Sequence, residues 1–122
     1  MKIYVVGNPL ISGDTVPLKL LPRLRKEHPG IRFEEADPNE NFIPEEGSII
    51  IDTVKGIERV TRFDSLDAFG QIRSVSPHDY DLGLHLRLLQ KLHKITSVKI
   101  IGVPWGAITE KVIREVSAQI NT

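Results

Sequence analysis

Ser48-Ile49-Ile50-Ile51-Asp52 is the stretch on which the fold turns. β-branched residues favour extended backbone, and an unbroken apolar run, unlike an alternating one, implies burial on both faces. The stretch therefore reads as a central strand of a parallel sheet. Similar runs lie on either side. Lys2 to Gly7 is β-branched and aromatic and ends at Gly7-Asn8-Pro9, while Val98-Lys99-Ile100-Ile101-Gly102-Val103 ends at Pro104-Trp105-Gly106. Each reads as a buried strand delivering the chain to a turn. Ile31 to Ala36 alternates weakly and suits an outer strand, and Lys55 to Phe63 suits an antiparallel edge strand.

Parallel strands require crossovers, and three amphipathic segments can supply them. From Thr15 to about His28, Val16, Leu18, Leu20, Leu21 and Leu24 suit a helix with Asp14 near its N-terminus; Pro17 fits the first turn and Pro22 is expected to kink it. Ser76-Pro77-His78 opens a second helix, continued on one face by Leu82, Leu86, Leu89 and His93 to an end near Lys94. Thr109 caps the last, with Val112, Ile113, Val116 and Ile120 inward. The expectation is an α/β fold: a three-layer, mostly parallel twisted sheet of about five strands, with helices on both faces and one antiparallel edge strand. Residues 1–122 read as a single domain.

Composition narrows the chemistry. Lysine plus arginine and aspartate plus glutamate number 16 each, giving no charge excess to favour nucleic acid or an anionic membrane. Cysteine is absent, which excludes disulfides, thiolate metal sites and cysteine nucleophiles. The apolar part of the N-terminus is too short for a signal sequence and no later segment approaches a membrane span, so a cytoplasmic protein is expected.

In parallel α/β sheets ligands collect beyond the carboxyl ends of the strands, which directs attention to Asn8 to Asp14, Asp37 and Asp52. Asp52 closes an apolar strand, where a carboxylate is costly to bury without a cation or hydrogen-bond donors. A metal or substrate cation would satisfy it; so would backbone N–H groups of a following turn. Asp14, just before Thr15-Val16-Pro17, reads locally as an N-cap. His78, in the first turn of its helix, is kept neutral by the helix dipole, the form that ligates metal, although a lone histidine there is more often structural. His85 reads as solvated and His93 as packed. No glycine-rich phosphate loop and no Gly-x-Ser-x-Gly elbow occurs.

Taken together, Gly7-Asn8-Pro9-Leu10 with Asp14, Ile49-Ile50-Ile51-Asp52, Ser76-Pro77-His78 and Ile100-Ile101-Gly102-Val103-Pro104 resemble the nickel-iron hydrogenase maturation proteases, in order and spacing over nearly the whole chain. The resemblance implies that Asp14, Asp52 and His78 form a metal-recognising catalytic site. They would contact nickel already inserted in an immature hydrogenase large subunit, whose C-terminal tail is then removed. Asn8 and Asp37 fall in the implied substrate cleft. Two carboxylates and an imidazole suit nickel, and equally zinc or a similar divalent ion, and leave coordination positions open. The family's Asp-Gly-Gly after the second strand appears here as Asp37-Pro38-Asn39, and its acidic pair after Gly-Asn as Gly13-Asp14. These departures raise a second possibility, a factor that recognises nickel for hydrogenase assembly without cutting. A third is a nucleotide-binding α/β module, in which Asp14 and Asp52 are only cap and turn residues.

Overall fold

The computed structural model describes residues 2–7, 15–36, 42–54, 56–65, 82–96, 98–106 and 109–121, with the side chains of 82–84 excepted. Five strands, β1 (Lys2–Val6), β2 (Arg32–Ala36), β3 (Ile49–Val54), β4 (Thr61–Phe63) and β5 (Lys99–Pro104), form one sheet in the order β2-β1-β3-β5-β4. β1 is parallel to β2 and β3, and β3 to β5; only β4 is antiparallel, pairing with β5 at the edge. The expected α/β sheet, with its central parallel strand and antiparallel edge, is the one observed. All six residues of β3 are buried, as its apolar run requires.

The described helices are α1 (Val16–Glu27), α2 (Leu82–Lys91) and α3 (Glu110–Ile120). On one side of the sheet Ile3, Val5, Ile49, Ile51, Ile101 and Val103 meet Val16, Leu20 and Leu24 of α1 and Ile113, Val116 and Ile120 of α3. On the other, Tyr4, Val6, Ile50, Val54, Phe63 and Ile100 meet Phe42 and Leu86 and Leu89 of α2. The alternation follows from the pleat, which sends successive side chains to opposite faces. Three layers result.

Several local details depart from the sequence reading. Thr15, rather than Asp14, occupies the N-cap position of α1, its carbonyl taking the amide of Lys19 at 3.0 Å. The helix continues through Pro22 to Glu27. Pro22 falls on the exposed side, where the carbonyl it leaves without an N–H partner is open to solvation. β4 is only three residues long. The helix α2 stops at Lys91, and His93 adopts a left-handed backbone with φ of 58°. The amide of Lys94 then reaches Leu89 O at 2.9 Å and that of His93 reaches Gln90 O at 3.1 Å, the paired bonds of a Schellman cap. His93 is therefore exposed, not packed. The proposed opening of this helix at Ser76-Pro77-His78 lies outside the described residues. Thr109 does cap α3, accepting the amide of Val112 at 3.2 Å.

Polar contacts also join neighbouring elements within a layer. Arg23 of α1 holds Glu110 of α3 through two hydrogen bonds of 2.8 and 3.2 Å. These bonds lower the carboxyl pKa of Glu110 below its ordinary value. Lys2 contacts Glu34 at 2.9 Å, which holds its ammonium charged well above the usual lysine range.

Candidate functional site

The strand order reverses direction between β1 and β3: the chain moves outward to β2 on one side and through β3 to β5 on the other. Adjacent strands whose connections leave in opposite directions open a crevice at their carboxyl ends. Asp52 stands there. The last β1–β3 pair is Val5 with Ile51, and Asp52 is the next residue along β3. It does not end the strand, which runs on to Val54. The reason is β5: Asp52, Thr53 and Val54 pair with Gly102, Val103 and Pro104, so the ladder holds β3 extended past its apolar run.

By alternation Asp52 faces the α2 side, with Ile50 before it and Val54 after it. Its residue is only 4% exposed, unlike the carboxylates of the surface ion pairs. Oδ1 accepts the amide of Thr53 at 2.9 Å, so the backbone-bonding reading is realised in part, though within the strand and not in a turn. A carboxylate at this depth interacts strongly with any cation brought to it, because little water screens the charge.

Across the ladder, Gly102 leaves room that a side chain would fill. A Cβ there would lie 2.9 Å from Phe63 Cε2 and 2.9 Å from Val54 Cγ2. The glycine thus lets the aromatic ring of β4 close over β5 next to Asp52.

On the same face of the sheet is an aromatic group that local sequence patterns do not signal. Phe42 meets Tyr4 edge to face at 4.9 Å, and His85 stacks on Phe42 with the ring planes 14° apart. The Nε2 of His85 is 2.6 Å from the carbonyl of Phe42 and donates to it. His85 is thus engaged and half-buried, the reverse of the solvated role its position suggested.

A serine–histidine pair also went unnoticed. Ser117 Oγ donates to Glu27 Oε2 at 3.1 Å, and His28 Nε2 lies 3.0 Å from Ser117 Oγ. A serine hydroxyl has one proton. With that proton given to Glu27, His28 must be the donor, whereas a nucleophilic serine needs its histidine as acceptor. The pair joins α1 to α3 and is wired for structure.

Asp14, His78, Asn8 and Asp37 lie outside the described residues. Among the described residues no cluster of three or more aspartate, glutamate or histidine side chains is placed to hold a metal ion. Asp52 is thus the one member of the expected metal-recognising set whose surroundings are described.

With this geometry in place, comparison with known proteins is informative at the level of structure. No family model matches the sequence, and no curated protein matches it significantly. Solved structures do match. The Hydrogenase 3 maturation protease superimposes with a TM-score of 0.65 at 16% identity, covering 99% of this chain and 87% of that one. The chain has the fold of the hydrogenase maturation proteases. The hydrogenase maturating endopeptidase HybD from E. coli matches with a TM-score of 0.61 at 16% identity, over 98% of this chain and 90% of its own. The [NiFe] hydrogenase maturation protease HycI from Thermococcus kodakarensis matches with 0.59 at 16% identity, over 98% and 87%. The family resemblance noted from short motifs therefore extends to the architecture of nearly the whole chain.

Proposed function

We propose that this protein is an endopeptidase that removes the C-terminal tail of a nickel-loaded, immature hydrogenase large subunit in the cytoplasm. The observation that carries the reading is the buried Asp52 at the topological switch of a sheet whose fold, across nearly the whole chain, is that of hydrogenase maturation proteases. No described helix is long and apolar enough to cross a membrane.

In this reading Asp14, Asp52 and His78 bind the nickel that the substrate carries, so that only a metal-loaded subunit docks productively. Oxygen and imidazole donors fit that ion, and Asp52 is of the right type at the right edge. Its shielded carboxylate supplies attraction that an exposed one would lose to water. Asn8 and Asp37 line the cleft for the tail. Cleavage needs a base to take the proton of the attacking water, a role for Asp14 or Asp52. Zinc or a similar divalent ion would suit the same donors.

The test is the intact mass of a nickel-loaded, unprocessed large subunit before and after incubation with the protein. Loss of a C-terminal fragment is expected, with Asp52→Ala and His78→Ala slowing it by roughly 10²- to 10⁴-fold, the range for loss of an acid–base group. Unchanged mass of a subunit shown to contain nickel would overturn the protease reading. Metal-dependent binding without cleavage would identify a recognition factor instead, and cleavage at the native rate by both variants would remove Asp52 and His78 from the site.

A further inference from the structure

Across the β3–β5 ladder Asp52 is paired with Gly102, a residue that brings no side chain to the meeting. Both face the α2 side, each two residues on from an isoleucine of that core, Ile50 and Ile100. The space a Gly102 side chain would fill is taken by other residues. Phe63 Cε2 and Val54 Cγ2 each lie 2.9 Å from the place of the missing Cβ, and Ile57 Cδ1 lies 3.5 Å from it. In β4, Thr61 is paired with Gly102 and Phe63 with Ile100, so the Phe63 ring reaches the glycine diagonally across the β4–β5 ladder. An aromatic ring from two strands away thus stands in for the cross-strand neighbour that Asp52 would otherwise have on β5.

This neighbour has electrostatic consequences for Asp52. Phe63 and Val54 are themselves closed to water, and neither side chain brings a hydrogen-bond donor to the carboxylate. The attraction between a carboxylate and a cation grows severalfold as water gives way to a partly dry protein edge. Filling volume does not by itself call for the arrangement: a valine at 102 with a smaller side chain at 63 would occupy similar space without the entropic cost of glycine in a strand. We infer that Phe63, seated on Gly102, is a positioning residue that keeps water from the β5 side of Asp52 and so strengthens the hold of the carboxylate on a cation carried by the substrate. The inference rests on the proposed function for the identity of that cation, nickel.

The test compares binding of the nickel-loaded and the nickel-free large subunit, each immobilised and followed by interferometry before tail removal is appreciable. Phe63→Ala should weaken binding of the loaded subunit about tenfold and that of the nickel-free subunit by about twofold at most, because the ring acts through attraction to the cation. The loss on the loaded subunit should deepen with added salt, which reaches a carboxylate opened to water. Phe63→Leu, which keeps apolar volume over Gly102, should restore most of the preference. Gly102→Ala added to Phe63→Ala should restore part of it, by returning a methyl to the vacated space. Melting curves confirm that each variant is folded, and if Phe63→Ala does not fold, Phe63→Val carries the same comparison. Equal losses on both forms of the subunit would make Phe63 a core residue alone and overturn the inference. Full preference for the loaded subunit in the folded variants would overturn it too, and would leave the proposed function standing. A native protein that binds the two forms equally overturns the nickel-recognition reading, and this inference with it.

Discussion

Against α1 and α3 the sheet presents isoleucine and valine almost exclusively, two helices covering Ile3, Val5, Ile49, Ile51, Ile101 and Val103. Against α2 the same strands present Tyr4, Asp52 and a glycine, with Phe42 and His85 packed nearby. The first side follows the rule that apolar volume alone suffices to fill a core. The second breaks it at each of those places. Tyr4 and Phe42 are buried there, and Asp52 Oδ1 and His85 Nε2 are held by backbone partners. One side of the sheet is thus built almost wholly of aliphatic residues, and the other mixes them with polar and aromatic groups.

That division is exposed most sharply by neighbouring substitutions in β3. Ile51→Ala, facing α1, should cost about 2–5 kcal/mol in urea unfolding through lost burial and the cavity left behind. Asp52→Asn, one residue on, should leave the unfolding midpoint close to native while suppressing tail removal. A large stability loss from Asp52→Asn would dissolve the distinction. Gly102→Ala should cost about 1–3 kcal/mol, because its methyl would meet Phe63 and Val54 at 2.9 Å and the ring must shift. A neutral result would mean that the Phe63 ring yields easily.

Smaller effects sharpen the picture at the periphery. His93→Gly should stabilise by about 1 kcal/mol, since glycine adopts a φ of 58° without the cost a side chain incurs. Thermal melts would show it, and a loss would mean the His93 side chain contributes contacts of its own. The weakest expected effect is pH dependence across the Arg23–Glu110 pair. Glu110 has its carboxyl pKa lowered by Arg23, so its contribution is present above the ordinary value of 4.5 and disappears as the pH falls through the depressed folded value. Melting curves of the native protein and Glu110→Gln should therefore converge in acid and separate slightly at neutral pH. A gap that widened in acid would contradict the sign.

Much of the architecture was readable from short patterns because burial writes itself into sequence. Ile49-Ile50-Ile51 could only be a buried strand, and Thr109 before an amphipathic run could only open a helix. What escaped depends on partners distant in the chain. Asp52 seemed to end its strand because its local pattern stops there; β5 extends it. His85 finds the Phe42 carbonyl through tertiary packing. His93 continues the periodicity of α2 on paper, yet the helix has already stopped, with no glycine to signal the left-handed residue. Of the candidate site, motif resemblance singled out Asp14, Asp52 and His78; the coordinates add the burial of Asp52, and Asp14 and His78 lie outside the described residues.

The strand order also bears on how the chain acquires its shape. Ile49 lies between Ile3 on one side and Lys99 on the other, and even the antiparallel edge joins Thr61 to Gly102. Such pairings close long loops before they yield contacts, which slows the search for the native state. During synthesis the most apolar strand would wait, flanked on one side only, until the last quarter of the polypeptide emerged. The interval leaves Ile49-Ile50-Ile51 open to the wrong neighbours, the hazard that an unpaired apolar strand brings to a folding chain.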